Sequence, residues 1–167
     1  MLRNVLKIIL TIILLILFFI ANLYSSYVLP YPWSNINLLI SFLLIFLSFW
    51  GSGSIVWLAF FAGFLSDLYS DVYFGVFSIT FTATFLIIYW LYYEIFTNRS
   101  IWSLTIMSVV TFLIFHFIYS VLTVINGILP KVTFLKYYAW EVLLTTIFVF
   151  IVYFILEKVF VRFRIIK

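Results

Sequence analysis

Apolar residues run along this chain in long unbroken stretches, with no alternation of apolar and polar positions. No charge falls between Lys7 and Asp67, and Ile12-Ile13-Leu14-Leu15-Ile16-Leu17-Phe18-Phe19-Ile20 has no polar member. A membrane-spanning helix takes about 20 residues, so these roughly 60 uncharged positions hold about three crossings. Turn chemistry divides them. Pro30-Tyr31-Pro32 ends the first segment, and Gly51-Ser52-Gly53-Ser54 parts the second from the third. Continued to the end of the chain, the pattern predicts helices near 5–29, 36–50, 55–69, 73–96, 101–125 and 138–160. A closed membrane β-barrel would need alternation. The fold class is therefore an all-α integral membrane protein: one six-helix transmembrane domain over residues 1–167. Trp33, Trp50, Trp57, Trp90, Trp102 and Trp140 all fall near proposed helix ends, where an indole keeps its ring buried and its N–H wet. Helices two and three, about 22 Å long each, either cross nearly upright or form a hairpin that stops short.

Composition removes the alternatives. Apolar residues make up 68% and charged residues 8% of the chain. A soluble domain holds about 25% charged residues, and a disordered one needs low hydrophobicity. The absence of cysteine excludes disulfides, Cys-ligated metals and a thiol nucleophile. Basic residues set the orientation. With six crossings, Arg3, Lys7, Arg99, Lys158, Arg162, Arg164 and Lys167 share one side, against Lys131 and Lys136 on the other. By the positive-inside rule both termini are expected in the cytoplasm. The first segment has signal-peptide character, but its long apolar run and lack of a small-residue cleavage site favour a retained helix. The net charge of +4 reflects membrane topology, so no nucleic-acid partner is expected.

Little catalytic chemistry is available. The carboxylates are Asp67, Asp71, Glu94, Glu141 and Glu157, and the one histidine is His116. Glu94 and Glu157 sit near helix ends, where Arg99 and Lys158 can neutralise them. Glu141 falls at the start of helix six, where the helix dipole favours an acid. His116 lies near mid-membrane, with Ser120 and Thr123 on the same helical face. A polar stripe at that depth faces the bundle or a wet cavity. It serves ligand contact or proton relay, or else a neutral imidazole acts as packing glue; no buried carboxylate partner is evident. Asp67 and Asp71 would share a face if their helix continued, but hard cations want six or more oxygens. No metal, cofactor or catalytic residue is expected, nor enzymatic activity.

Small residues say more. Ala59 with Gly63, and Ala62 with Ser66, are spaced four apart on helix three, while Gly75, Ser78 and Thr82 line helix four. Small residues let membrane helices approach closely, so helices three and four are expected to form the tight centre of the bundle. Gly63 permits close packing, Asp67 can cap backbone amides or order the loop, and Gly75 eases entry into helix four.

The segment from Gly63 to Gly75 resembles the signature of the bacterial rod-shape-determining MreD family. Gly63, Asp67, Leu68, Ser70 and Gly75 match in register, while Asp71 replaces the usual glycine and Tyr73 the usual proline. Chain length, six predicted helices and the proline before helix two also fit. The resemblance implies a non-enzymatic subunit of the cell-elongation complex that organises side-wall peptidoglycan synthesis. Its partners would be an MreC-like protein, a glycosyltransferase, a penicillin-binding transpeptidase and, directly or indirectly, the MreB filament. The family is similar in fold to the substrate-binding subunits of energy-coupling-factor transporters. Hence the rival expectation is a vitamin-binding transport subunit, with an outward pocket near His116, Trp140 and Glu141.

Overall fold

The structure is a computed structural model that describes residues 2–95, 101–127 and 133–162. Its helices are α1 (Leu2–Val28), α2 (Leu38–Trp50), α3 (Ser54–Tyr69), α4 (Val76–Glu94), α5 (Ile101–Ile125) and α6 (Thr133–Arg162). A short 3-10 turn at Trp33–Asn35 precedes α2, and no strand occurs among the described residues. Helices α1, α4, α5 and α6 are long and apolar enough to cross a membrane. Their outer faces expose Leu10, Ile13, Leu17, Leu86, Leu113, Phe117 and Ile151. So continuous an apolar coat marks a surface that meets lipid, and the chain is a membrane-embedded multi-pass protein.

The ends of the helices have local causes. Helix α2 stops at Gly51, which takes a left-handed φ of 53° while its N–H donates to the Leu47 carbonyl at 2.8 Å. Helix α4 starts at Val76 instead of near 73, because Gly75 holds a φ of 97° that no helix accommodates. Helix α6 starts at Thr133 instead of near 138. Tyr137, Tyr138 and Trp140 lie within it, since aromatic side chains mark depth in the membrane and not the first helical residue.

The core corrects one expectation. Helices α3 and α4 are the most closely packed pair, but the centre of the bundle is α2. All ten residues from Leu39 to Ser48 are buried, and α2 packs against α1, α3, α5 and α6. Its 13 residues span only about 20 Å, short of the ~30 Å hydrocarbon core. A helix wrapped by others need not match the bilayer. Three buried hydroxyls turn back onto the helix backbone: Ser41, Thr80 and Thr111 donate to the carbonyls of Asn37, Val76 and Met107 at 2.8, 2.6 and 2.7 Å.

Side-chain contacts define the two ends of the bundle. At one end the Tyr93 hydroxyl at the close of α4 donates to the Gly51 carbonyl. The Phe49 and Tyr153 rings meet there at 5.4 Å. At the other end Phe19 and Tyr69 meet at 5.4 Å, and Phe77 and Tyr119 at 5.3 Å. This second end holds the chain between α1 and α2, the turn between α3 and α4, and most of the polar chemistry.

Candidate functional site

The turn from Gly63 to Gly75 is built from backbone contacts. A Cβ on Gly63 would lie 2.6 Å from both the Phe77 carbonyl oxygen and the Ser78 Cα, so α3 meets the backbone of α4 with no room for a side chain. One turn further along α3, Asp67 is only 4% exposed. Its Oδ1 accepts from the Phe77 N–H at 2.8 Å, and its Oδ2 from the Ser78 N–H at 2.9 Å and the Ser78 hydroxyl at 2.5 Å. Phe77 and Ser78 stand in the first turn of α4, whose amides have no partners within the helix. Gly75, at the N-cap position, has no side chain to offer them. The carboxylate of α3 therefore does the work of the missing cap and welds the two helices. Gly75 itself needs its positive φ for the chain to turn into α4.

The other residues of this segment differ in role. Ser70 ends α3, and its hydroxyl donates to the Asp67 carbonyl at 3.3 Å. Leu68 is exposed, as are Tyr69, Tyr73 and Phe74, which give the turn an aromatic rim. Asp71 lies past the end of α3, exposed in the turn, so it shares no helical face with Asp67. The described residues contain no group of three His, Cys, Asp or Glu able to hold a metal.

A polar cluster lies beside this turn, at the same end of the bundle. Asn37 caps α2, its Oδ1 accepting from the Ile40 N–H at 3.1 Å. Its Nδ2 donates to Glu141 Oε1 at 3.0 Å, and its own N–H donates to the Thr145 hydroxyl at 3.0 Å. From α1, Asn22 Oδ1 accepts the Leu38 N–H at 2.8 Å. The second carboxylate oxygen of Glu141 stands 3.4 Å from His116 Nε2. His116 stacks on Tyr138 with ring centroids 4.0 Å apart. Helices α1, α2, α5 and α6 are thus joined through two amides, one carboxylate and one imidazole.

No family model, curated protein or solved structure matches this chain.

Several expectations change. His116 does have a carboxylate neighbour, Glu141, supplied by another helix. Glu141 is not in the first turn of α6, because the helix starts eight residues earlier. Along the stripe, His116 and Ser120 are half-buried and Thr123 is buried. The Thr123 hydroxyl bonds the Tyr119 and Ser120 carbonyls of its own helix, both at 3.0 Å. One hydroxyl contact that does cross from α5 to α6 is Ser108 with Thr146, at 3.2 Å. Lys158 lies over the Phe154 ring, 4.2 Å from its centroid, instead of pairing with Glu157. Arg99, proposed to neutralise Glu94, lies outside the described residues, as do Lys131, Arg164 and Lys167.

Sequence reasoning overlooked Asn22 and Asn37. Each is an amide inside a charge-free apolar stretch, where a polar side chain is costly unless it bonds to another helix. That cost was the available signal. Around them lies an open cleft of about 230 Å³ lined by Asn22, Asn35, Asn37, Tyr137, Tyr138 and Glu141 among others. A second cleft of about 170 Å³ lies between the same two asparagines and Tyr69, Phe77 and Phe81. Trp140, placed by expectation at an outward pocket, is not among the residues lining either cleft.

Proposed function

We propose that this chain is a non-enzymatic membrane subunit of the bacterial cell-elongation complex, helping to set rod shape by organising side-wall peptidoglycan synthesis. In this reading all six helices lie in the inner membrane, both termini are cytoplasmic, and the Asp67 end of the bundle faces outward. The fold is then of the kind found in substrate-binding subunits of energy-coupling-factor transporters. The partners are an MreC-like protein, the elongation glycosyltransferase and the penicillin-binding transpeptidase, with the MreB filament reached directly or through them.

The observation that carries the reading is the agreement between the resemblance and the packing. Gly63, Asp67 and Gly75 are matched residues, and each occupies a position with a strict physical demand: no Cβ, a two-oxygen acceptor, and a positive φ. A rigid turn with an exposed aromatic rim is suited to present a docking face to a protein partner. The test is co-purification with an MreC-like protein, together with rescue of rod shape in a strain depleted of its own subunit. The wild-type chain is expected to do both, and Gly63→Ala and Asp67→Leu to lose both. Failure of the wild type in both assays, with co-purification of a transporter's ATPase module instead, would replace this reading by the transport one.

A further inference from the structure

We propose that the cleft between α1, α2 and α6 binds a small ammonium compound carrying an oxygen acceptor, such as an amino alcohol or the amino-alcohol head group of a lipid. This does not depend on the elongation reading; it concerns the chemistry of the cleft alone. Glu141 supplies negative charge on the cleft wall. Within the described side chains it receives one hydrogen bond, from the neutral amide of Asn37, and approaches His116 Nε2 at 3.4 Å without forming another. No lysine or arginine among the described side chains pairs with it. A carboxylate held in an apolar bundle needs a compensating charge or proton, and an ammonium ion is the ligand chemistry that supplies one. Tyr137 and Tyr138 line the same cleft, and aromatic faces attract organic cations.

A second observation specifies the rest of the ligand. Asn35 also lines the cleft, and its Nδ2 lies beneath the surface with no hydrogen-bond partner among the described residues. A buried donor without an acceptor is costly, so the Asn35 amide gains by turning to an oxygen that the ligand brings. The cleft suits a small group, because about 230 Å³ lies below the ~300–1,000 Å³ of pockets that hold drug-sized ligands. An anion is disfavoured by Glu141, and a hard metal ion by the shortage of carboxylates.

The experiment uses the full chain in nanodiscs. In discs of phosphatidylglycerol alone, ethanolamine and choline are titrated and thermal unfolding is followed, with ethylene glycol as the neutral control. In a second arm, discs doped with phosphatidylethanolamine are analysed by native mass spectrometry for retained lipid. Stabilisation by the free amines identifies a soluble ligand, and selective retention of phosphatidylethanolamine identifies a lipid head group; either supports the site. Glu141→Gln keeps an oxygen for Asn37 and is expected to bind about tenfold more weakly or worse. Tyr137→Leu removes an aromatic face at a half-exposed position, and binding should weaken there too. The proposal is overturned if neither source binds the wild type beyond the neutral control, or if Glu141→Gln binds as well as wild type. Should Glu141→Gln not purify folded, undiminished binding by Tyr137→Leu overturns it.

Discussion

At the scale of single residues, Asp67 and Gly63 act on the same few atoms of α4. Asp67 uses both carboxylate oxygens for backbone amides. Asn supplies one acceptor and turns an N–H₂ toward a donor, so Asp67→Asn should lose about 1–3 kcal/mol, and Asp67→Leu, with no acceptor at all, more. Thermal unfolding of the purified chain in nanodiscs would rank them; equal stability of Asp67→Asn and wild type would remove the cap from this account. At Gly63 even alanine is too large, because the atoms it meets are backbone and cannot swing aside. Gly63→Ala is expected to cost about 1–3 kcal/mol by overpacking. Gly75→Ala has open space around the new Cβ, so its cost should be the smaller one of holding an L residue at positive φ, about 1–2 kcal/mol. Destabilisation by Gly63→Ala and Gly75→Ala should therefore differ in cause. A smaller residue at Phe77 would not relieve Gly63→Ala, since that clash is with main chain.

At the scale of elements, α2 depends on its cap. The helix is apolar and buried along ten consecutive residues, so apolar packing alone does little to fix how deep it sits among its neighbours. Asn37 supplies that restraint by bonding Ile40 at the start of α2 and Glu141 on α6. Losing an N-cap costs about 0.5–2 kcal/mol. Asn37→Ala should exceed that range's midpoint, because it also strips Glu141 of its amide donor. A double-mutant cycle of Asn37→Ala with Glu141→Gln should return a coupling of about 1 kcal/mol. Additive effects would show that the 3.0 Å contact carries no energy. Helices α3 and α4 present the opposite case. Their contact is specified by a glycine and a carboxylate, and it needs no large side chain at its closest point.

At the scale of the whole molecule, the ends of the bundle differ in chemistry. The Asp67 end holds the capped turn, the asparagines and the clefts, while the Gly51 end holds the tyrosines at the close of α4. The proposed orientation puts the first end outside the cell. The chain has no cysteine, so a single one can be introduced without background. A cysteine after Lys167 should resist an impermeant thiol reagent in intact cells, and one at Asp71, exposed in the α3–α4 turn, should react. Labelling at the C-terminus with protection at position 71 would invert the topology.

What the sequence determined by itself follows from short-range physics. Lipid as solvent demands uninterrupted apolar helices with their backbone bonds satisfied internally. The six helices could therefore be located from Pro30, Pro32, the Gly51–Ser54 turn and the length of the apolar runs. Gly63, Asp67 and Gly75 were legible for a related reason: a missing Cβ, an acceptor near a helix start and a tolerated positive φ are properties of the residues themselves. Tertiary structure alone decided which helix is central, because α1 and α2 are both apolar and only packing shows that α2 is enclosed. It also decided the partner of His116. Glu141 is 25 positions away on another helix, and nothing in the spacing along either helix encodes which faces will meet. Asn22 and Asn37 belong to the same class, since an amide in an apolar run signals that a partner exists, but the identity of that partner is set by how the helices pack.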